Sequence, residues 1–339
     1  MSPKKRFRRW LVWVIGGVWT GTALMVLIAS RTHPSTTANI ALNTEKISFR
    51  TNASHILGPS DEEQLLVSGI DSLRIQLSIK QIITIGGAAM QAASLEIEGG
   101  PSASCSFYQV RSSILELSGP SLLTLGASSA SGERSFNLKA HGSLSGNLTS
   151  RPGDADAKPG FTCTRVSVNG APAVDVEGNL SPHGGDSIFF STASDARLDF
   201  IFAAHSEIGD TQIPILGELR FSEIDPRTAE EKSVLRKPPP EVVFEKLEKK
   251  VTLDDADLLV VVPKSDFYLR QFMVKDGIHL SLHGVVADVR AGAGVSDLET
   301  LMPSSFDHLD NLKRIYGVIP ALVVLILGVL EKMGGLPKK

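Results

Sequence analysis

Tryptophan is missing from everything beyond residue 19, since all three copies, Trp10, Trp13 and Trp19, lie at one end of a 339-residue chain. Tyr108 and Tyr268 are then the only other large amphipathic aromatics before residue 300. So few rings with one apolar and one polar end weaken any site built on stacking, such as a glycan platform. A phosphate-binding loop is lacking too, because no glycine cluster is followed by a Lys-Ser or Lys-Thr pair. Net positive charge is confined to the first nine residues. Lys4, Lys5, Arg6, Arg8 and Arg9 stand there without an acid, and removing these five from the net −3 leaves −8 for residues 10–339. A nucleic-acid surface needs lysines and arginines gathered on one face, so no nucleic-acid partner is expected.

The eight histidines form no metal or nucleophile constellation. His279 and His283 fall in an alternating, strand-like segment, where four residues at about 3.3 Å each separate them too widely to share one ion. His205 and Glu207 meet on one side of an extended segment, an arrangement commoner in surface pairs than in general bases. Asp254, Asp255 and Asp257 lack the glycine and following ligands of a calcium loop and read as a solvated turn. In Gly142-Ser143-Leu144-Ser145-Gly146 the serines miss the nucleophile position, and the strand-to-helix context of a nucleophile elbow is absent. No catalytic residue, metal ligand or cofactor site is therefore assigned.

What the chain does have is two long apolar runs. Trp10 to Ser30 carries no charge, and as a helix its 21 residues extend roughly 30 Å, the hydrocarbon thickness of a bilayer. Five cations precede it and only Arg31 follows, which places the N-terminus in the cytoplasm by the positive-inside rule. The run is longer than the h-region of a cleaved signal peptide, and no small-x-small site closes it, so an uncleaved anchor is expected. Ile315 to Leu330, flanked by Lys313-Arg314 and Glu331-Lys332, is shorter, at about 24 Å. With Tyr316 at the interface and snorkelling lysines it is read as a second crossing, the alternative being a buried or interfacial helix. Gly17 and Gly21 have the small-xxx-small spacing of packed membrane helices, which points to a homodimer through the first helix.

Between the runs the chain alternates with the period of strands. Leu73, Ile75, Leu77 and Ile79 interleave with Arg74, Gln76, Ser78 and Lys80, and similar short runs recur between Gly, Pro, Ser and Asn clusters. This predicts an all-β extracytoplasmic domain: a sandwich or jelly roll, or an irregular β-solenoid. The expected layout is a basic tip (1–9), a transmembrane helix (10–30), a linker (31–45) and a main β-rich domain (46–222). A charged, proline-rich connector (223–250) with a short helix over Glu241–Lys250 comes next, then further strands (251–295), a juxtamembrane segment (296–314), the second helix (315–331) and a cytoplasmic tail (332–339). Cys105 and Cys163, the only cysteines, both fall outside the membrane, where an oxidising compartment favours a disulfide between them.

The sequence thus predicts an integral protein of a membrane of the bacterial inner-membrane type, with its β domain periplasmic or extracellular. Its expected role is a non-enzymatic structural, assembly or interaction module whose partners are membrane proteins, envelope components or the bilayer. A lipid or envelope-polymer carrier and a membrane-tethered hydrolase are the alternative readings.

Overall fold

The computed structural model describes residues 31–127, 135–151, 158–202, 212–245, 249–254, 256–274, 277–305 and 307, and positions 13, 16, 17, 19–21, 23–25, 27 and 28. It divides into two compact units, one of Thr37–Val243 with Lys250–Leu301, the other of Met1–Thr36, Phe244–Lys249 and Met302–Lys339. The strands begin with β1 (Thr36–Thr44), β2 (Lys46–Thr51), β3 (His55–Leu57), β4 (Ser60–Ile85), β5 (Ala88–Glu98) and β6 (Ser104–Leu117). They continue with β7 (Ser121–Ala127), β8 (Ser135–Ala140), β9 (Leu144–Ser150), β10 (Gly160–Val168), β11 (Ala171–Asn179) and β12 (Ser187–Phe202). The short β13 (Ile213–Pro214), β14 (Leu219–Arg220), β15 (Ser222–Ile224) and β16 (Glu231–Ser233) precede β17 (Leu235–Phe244) and β18 (Lys249–Thr252). The long β19 (Leu258–Val274) and β20 (Ile278–Gly292) and the short β21 (Glu299–Thr300) complete the set.

The all-β reading holds. Strands β2 to β12 form one eleven-stranded sheet, and β1, β13, β14 and β17 to β21 form an eight-stranded one. Every pairing whose register is defined is antiparallel, which removes the solenoid from the expected architectures, because solenoid coils stack their strands in parallel. Strand β4 organises the larger sheet. Its 26 residues bend at Gly69, whose φ of +76° suits glycine, and the facing strand β12 slips register between Thr192 and Arg197 at the same level. Pairings β4–β6, β6–β9, β9–β12 and β12–β4 return to their starting strand, so this circuit has no free edge.

The core is aliphatic with a phenylalanine cluster at its centre. Phe136 of β8 meets Phe200 of β12 at 5.2 Å between ring centroids and Phe272 of β19 at 5.5 Å, so the cluster joins the two sheets. Phe136→Leu keeps the site apolar but removes the ring contacts, and it should lower unfolding free energy by about 1 kcal/mol in urea titrations. An unchanged midpoint would show that the rings add nothing beyond bulk.

Two expected boundaries need correction. The segment read as a linker, 31–45, contains β1, in which Thr36, Ala38, Ile40 and Leu42 are buried in alternation. The segment read as a connector with a helix over Glu241–Lys250 is instead a β15–β16 hairpin followed by β17 and β18. From Pro240 onward Val242 and Phe244 are buried and Glu241 and Val243 half-buried, a period of two that no helix satisfies. The three prolines fit a strand because their fixed φ is extended and the nearby hydrogen bonds use carbonyls: Asn43 Nδ2 donates to the Lys237 oxygen at 2.7 Å, and the Leu253 N–H to the Pro240 oxygen at 3.0 Å.

Among the described residues no helix is long and apolar enough to cross a membrane. The expected span 315–331 lies outside the described residues, and 10–30 lies partly outside them. Its described positions are helical with exposed apolar side chains, Trp13, Trp19, Leu24, Met25, Leu27 and Ile28 among them. In the same unit Thr32 and Ser305 are stitched together. The Ser305 N–H donates to the Thr32 oxygen at 2.6 Å, Thr32 Oγ1 donates to Ser305 Oγ at 2.7 Å, and His33 Nδ1 lies 3.1 Å from the Met302 oxygen.

Candidate functional site

Alternation along β4 buries Leu73, Ile75 and Leu77 and turns Ser72, Arg74 and Gln76 outward. Pairing carries that outward face across neighbouring strands in rows. One row runs Glu98, Ser72, Ser191, Ser145, Glu116 and His55; the next runs Glu96, Arg74, Phe189, Asn147 and Ile114. Arg74 bridges Glu96 at 2.8 Å, and the Ser72 and Ser191 hydroxyls lie 2.8 Å apart. Phe189 and Ile114 stand exposed at 44% and 42% in an otherwise polar row. Two depressions meet at Phe189 and Phe190, one of about 740 Å³ over Ser72, Arg74, Glu98 and Asn169, the other of about 370 Å³ over Ile114, Glu116 and Asn147.

Backbone shape permits this surface. A Cβ on Gly146 would lie 2.5 Å from the Phe190 ring and 2.7 Å from Leu115 Cδ2, so only glycine lets Phe190 pass beneath β9 there. The Asn147 Oδ1 is enclosed and has no hydrogen-bond partner among the described residues. The charge balance is acidic. Arg74 is engaged by Glu96, Glu98 has no ion-pair partner among the described residues, and Glu116 is 3.6 Å from His55. Such a lining favours neutral or cationic groups over phosphate-bearing ones.

A buried carboxylate lies at the start of β4. Glu62 has no exposed surface; Ser60 Oγ and Ser112 Oγ reach its Oε1 at 2.5 and 2.7 Å, and the Ser112 N–H donates to Oε2 at 3.0 Å. Burial pushes its pKa from 4.5 up to about 7 against the opposing pull of these hydrogen bonds. Beside it Asp61 takes a two-pronged bond from Arg111, at 2.5 and 3.0 Å, which holds the Asp61 carboxyl below its ordinary range. Sequence reading missed Glu62, which sits in the acidic stretch Asp61-Glu62-Glu63.

Cys105 and Cys163 form a disulfide. They are direct register partners on β6 and β10, with Cα atoms 4.0 Å apart and no exposed surface. Gly17 and Gly21 lie in the described helical positions, with nothing within 4 Å of where a side chain would start and Thr20 Oγ1 bonded to the Gly16 and Gly17 carbonyls. His279 and His283 are four apart on β20, as the alternation predicted, and His283 Nδ1 faces Asn39 Oδ1 at 2.5 Å. Asp254 and Asp257 close a turn, the Asp254 N–H donating to Asp257 Oδ2 at 3.1 Å; Asp255 is outside the described residues, as are His205 and Glu207. Ser145 belongs to the open face, and the Ser143 carbonyl accepts the Ser118 N–H in a turn. No cluster of three or more His, Cys, Asp or Glu side chains that could hold a metal occurs among the described residues.

Comparison with protein-family profiles and with curated proteins finds no match. Among solved structures, the outer membrane protein OprG from Pseudomonas aeruginosa aligns at 8% identity over 42% of this chain and 98% of its own, with a TM-score of 0.10. Scytalido-glutamic peptidase aligns at 10% identity over 74% of this chain and 97% of its own, with a TM-score of 0.09. At such scores neither likeness carries an argument about fold or activity.

Proposed function

We propose that this chain is a membrane-anchored, non-enzymatic module that holds its β domain outside the cytoplasm and presents the outer face of β5, β4, β12, β9 and β6 to a membrane or cell-envelope partner. The observation that carries the reading is the Thr32–Ser305 stitch, which ties the chain just after the first apolar run to the chain just before the second. Two apolar runs whose near ends are held together can enter one bilayer side by side, which suits a tether. Exposed apolar side chains on the described helical positions before residue 29 fit the same environment. The open face supplies the binding half. A phenylalanine and an isoleucine amid serines, amides and carboxylates make an apolar anchor with a polar rim, the make-up of a protein-binding surface.

A second reading, an envelope-polymer carrier, draws on the hydroxyl-rich depressions, which suit a polyhydroxylated chain better than acyl tails.

Topology is tested with single cysteines, which are clean reporters because the native pair is already joined. Ser118→Cys should react with a membrane-impermeant maleimide in intact cells or spheroplasts, while Ser2→Cys and Lys338→Cys should react only after permeabilisation. The reverse pattern would sink the anchored reading. Binding is tested by in-cell crosslinking and mass spectrometry. Phe189→Ala should reduce recovery of the crosslinked partner about tenfold, as loss of a central anchor does, with the unfolding midpoint unchanged. Full recovery would place the partner on another face.

A further inference from the structure

Among the described residues, the outer edge of β5 is unpaired over most of its length. From Ala88 to Ile97 this strand pairs with β4 on one side and with no described strand on the other; the single β10 contact comes at Glu98. In the β4–β5 hairpin β4 bulges between Gln76 and Gln81, where Asp186 accepts the Ser78 N–H and hydroxyl at 2.7 and 2.8 Å, and its last residues, Ile83 to Ile85, pair with β11 on the side away from β5. The turn is the two-residue Gly86-Gly87, with φ of +56° and +85°, the left-handed pair of a tight hairpin. Natural sheets blunt such an edge with charge, proline or a covering segment. Here Gln81 to Ala93 carries neither charge nor proline, and Ile79, Ile82 and Met90 lie exposed at 56%, 59% and 45%.

We propose that this edge pairs with the same edge of a second copy of the chain, antiparallel about a two-fold axis at Gln91. The sequence is self-complementary in that register: Gln91 meets its own copy, Met90 meets Ala92, and Ala89 meets Ala93. A two-fold places like beside like, so any charge near the axis would oppose itself, whereas a glutamine amide both donates and accepts and satisfies its twin. The alanines let the backbones reach ladder distance without a side-chain barrier. This pairing is independent of the proposed open-face partner and of Gly17 and Gly21.

The test uses the full chain in its own membrane. Gln91→Cys under mild oxidation should give a reducible dimer at least tenfold above that of Ser118→Cys, which samples collisions alone. Differently tagged copies carrying Gln91→Lys on both sides, or Gln91→Glu on both sides, should co-purify at least tenfold less than wild type, and a Lys copy with a Glu copy should return to the wild-type level. A Gln91→Cys dimer no stronger than the collision control overturns the proposal, even if tagged copies still co-purify through the helices. Undiminished Lys–Lys co-purification when Gly17 and Gly21 are both replaced by leucine overturns it as well. So does quenching of a fluorophore on residue 91 by nitroxide lipids, which would put the hairpin in the bilayer.

Discussion

Replacing Cys105 and Cys163 together by alanine is expected to lower the unfolding free energy by about 4 kcal/mol, the chain-entropy value for a closed loop of this length. The bridge joins residues 58 apart in sequence. Its neighbours show why the folded state should survive its loss. Ser106 faces Thr162, Ser104 faces Thr164 with their hydroxyls 3.0 Å apart, and the same strands continue through Phe107 and Phe161. With β6 and β10 held by that ladder, the substitution acts mainly on the unfolded chain, which gains the freedom the link had removed. The measurement is a urea titration followed by far-ultraviolet circular dichroism, because all three tryptophans lie before residue 20 and their fluorescence does not report on the sheets. A loss below about 1 kcal/mol would mean the unfolded chain is already restricted without the link.

The second large effect runs with pH. Glu62 titrates near 4.5 when unfolded and at about 7 when folded. Below 4.5 both states hold the proton and the group is neutral in its effect. As pH rises from 4.5 to 7 the unfolded state releases the proton first, so the folded state binds more protons and stability falls. At about 1.4 kcal/mol per tenfold step, the loss reaches about 3 kcal/mol above pH 7. Asp61 acts in the opposite sense, but below its ordinary 3.8 and therefore outside this window.

Glu62→Gln reproduces the protonated acid. Its carbonyl can accept the Ser112 N–H, and its amide can donate to the hydroxyls of Ser60 and Ser112. The variant should therefore be about 3 kcal/mol more stable than wild type at pH 8 and equal to it near pH 4.5. Titrating both proteins cancels the ionisable groups that do not interact with Glu62, and its neighbour Asp61 titrates below this window. A wild-type-minus-variant difference that stays flat from pH 4.5 to 8 would show that the carboxylate is not penalised by its burial.

The fate of Glu62 marks where sequence reading stops. Counting back in twos from the buried Val67 and Leu65 assigns Glu63, not Glu62, to the inner face. The phase slips at Glu63, where the facing strand β6 passes through Gln109 at a φ of +54° and the pairing with β12 shifts register between Ile201 and Phe202. Such an irregularity is set by three strands meeting, and no window along one of them contains it. The outward face of β4 was legible for the opposite reason, because Leu73, Ile75 and Leu77 keep strict alternation. The cysteine pair was legible from its number, two, and from the oxidising compartment that the sequence predicts. The free edge of β5 was not, since pairing partners are a property of the assembled sheet, and β17 was hidden by three prolines that mimic a linker.

The Thr32–Ser305 stitch has a consequence for how the domain can be handled and inherited. With its entry and exit hydrogen-bonded to each other, the β domain is an insertion between two apolar segments, and its ends match those of a surface loop. It can be lifted as one cassette into a loop of another protein, or circularly permuted by joining residues 32 and 305 and opening the chain at an exposed turn such as Ser118-Gly119.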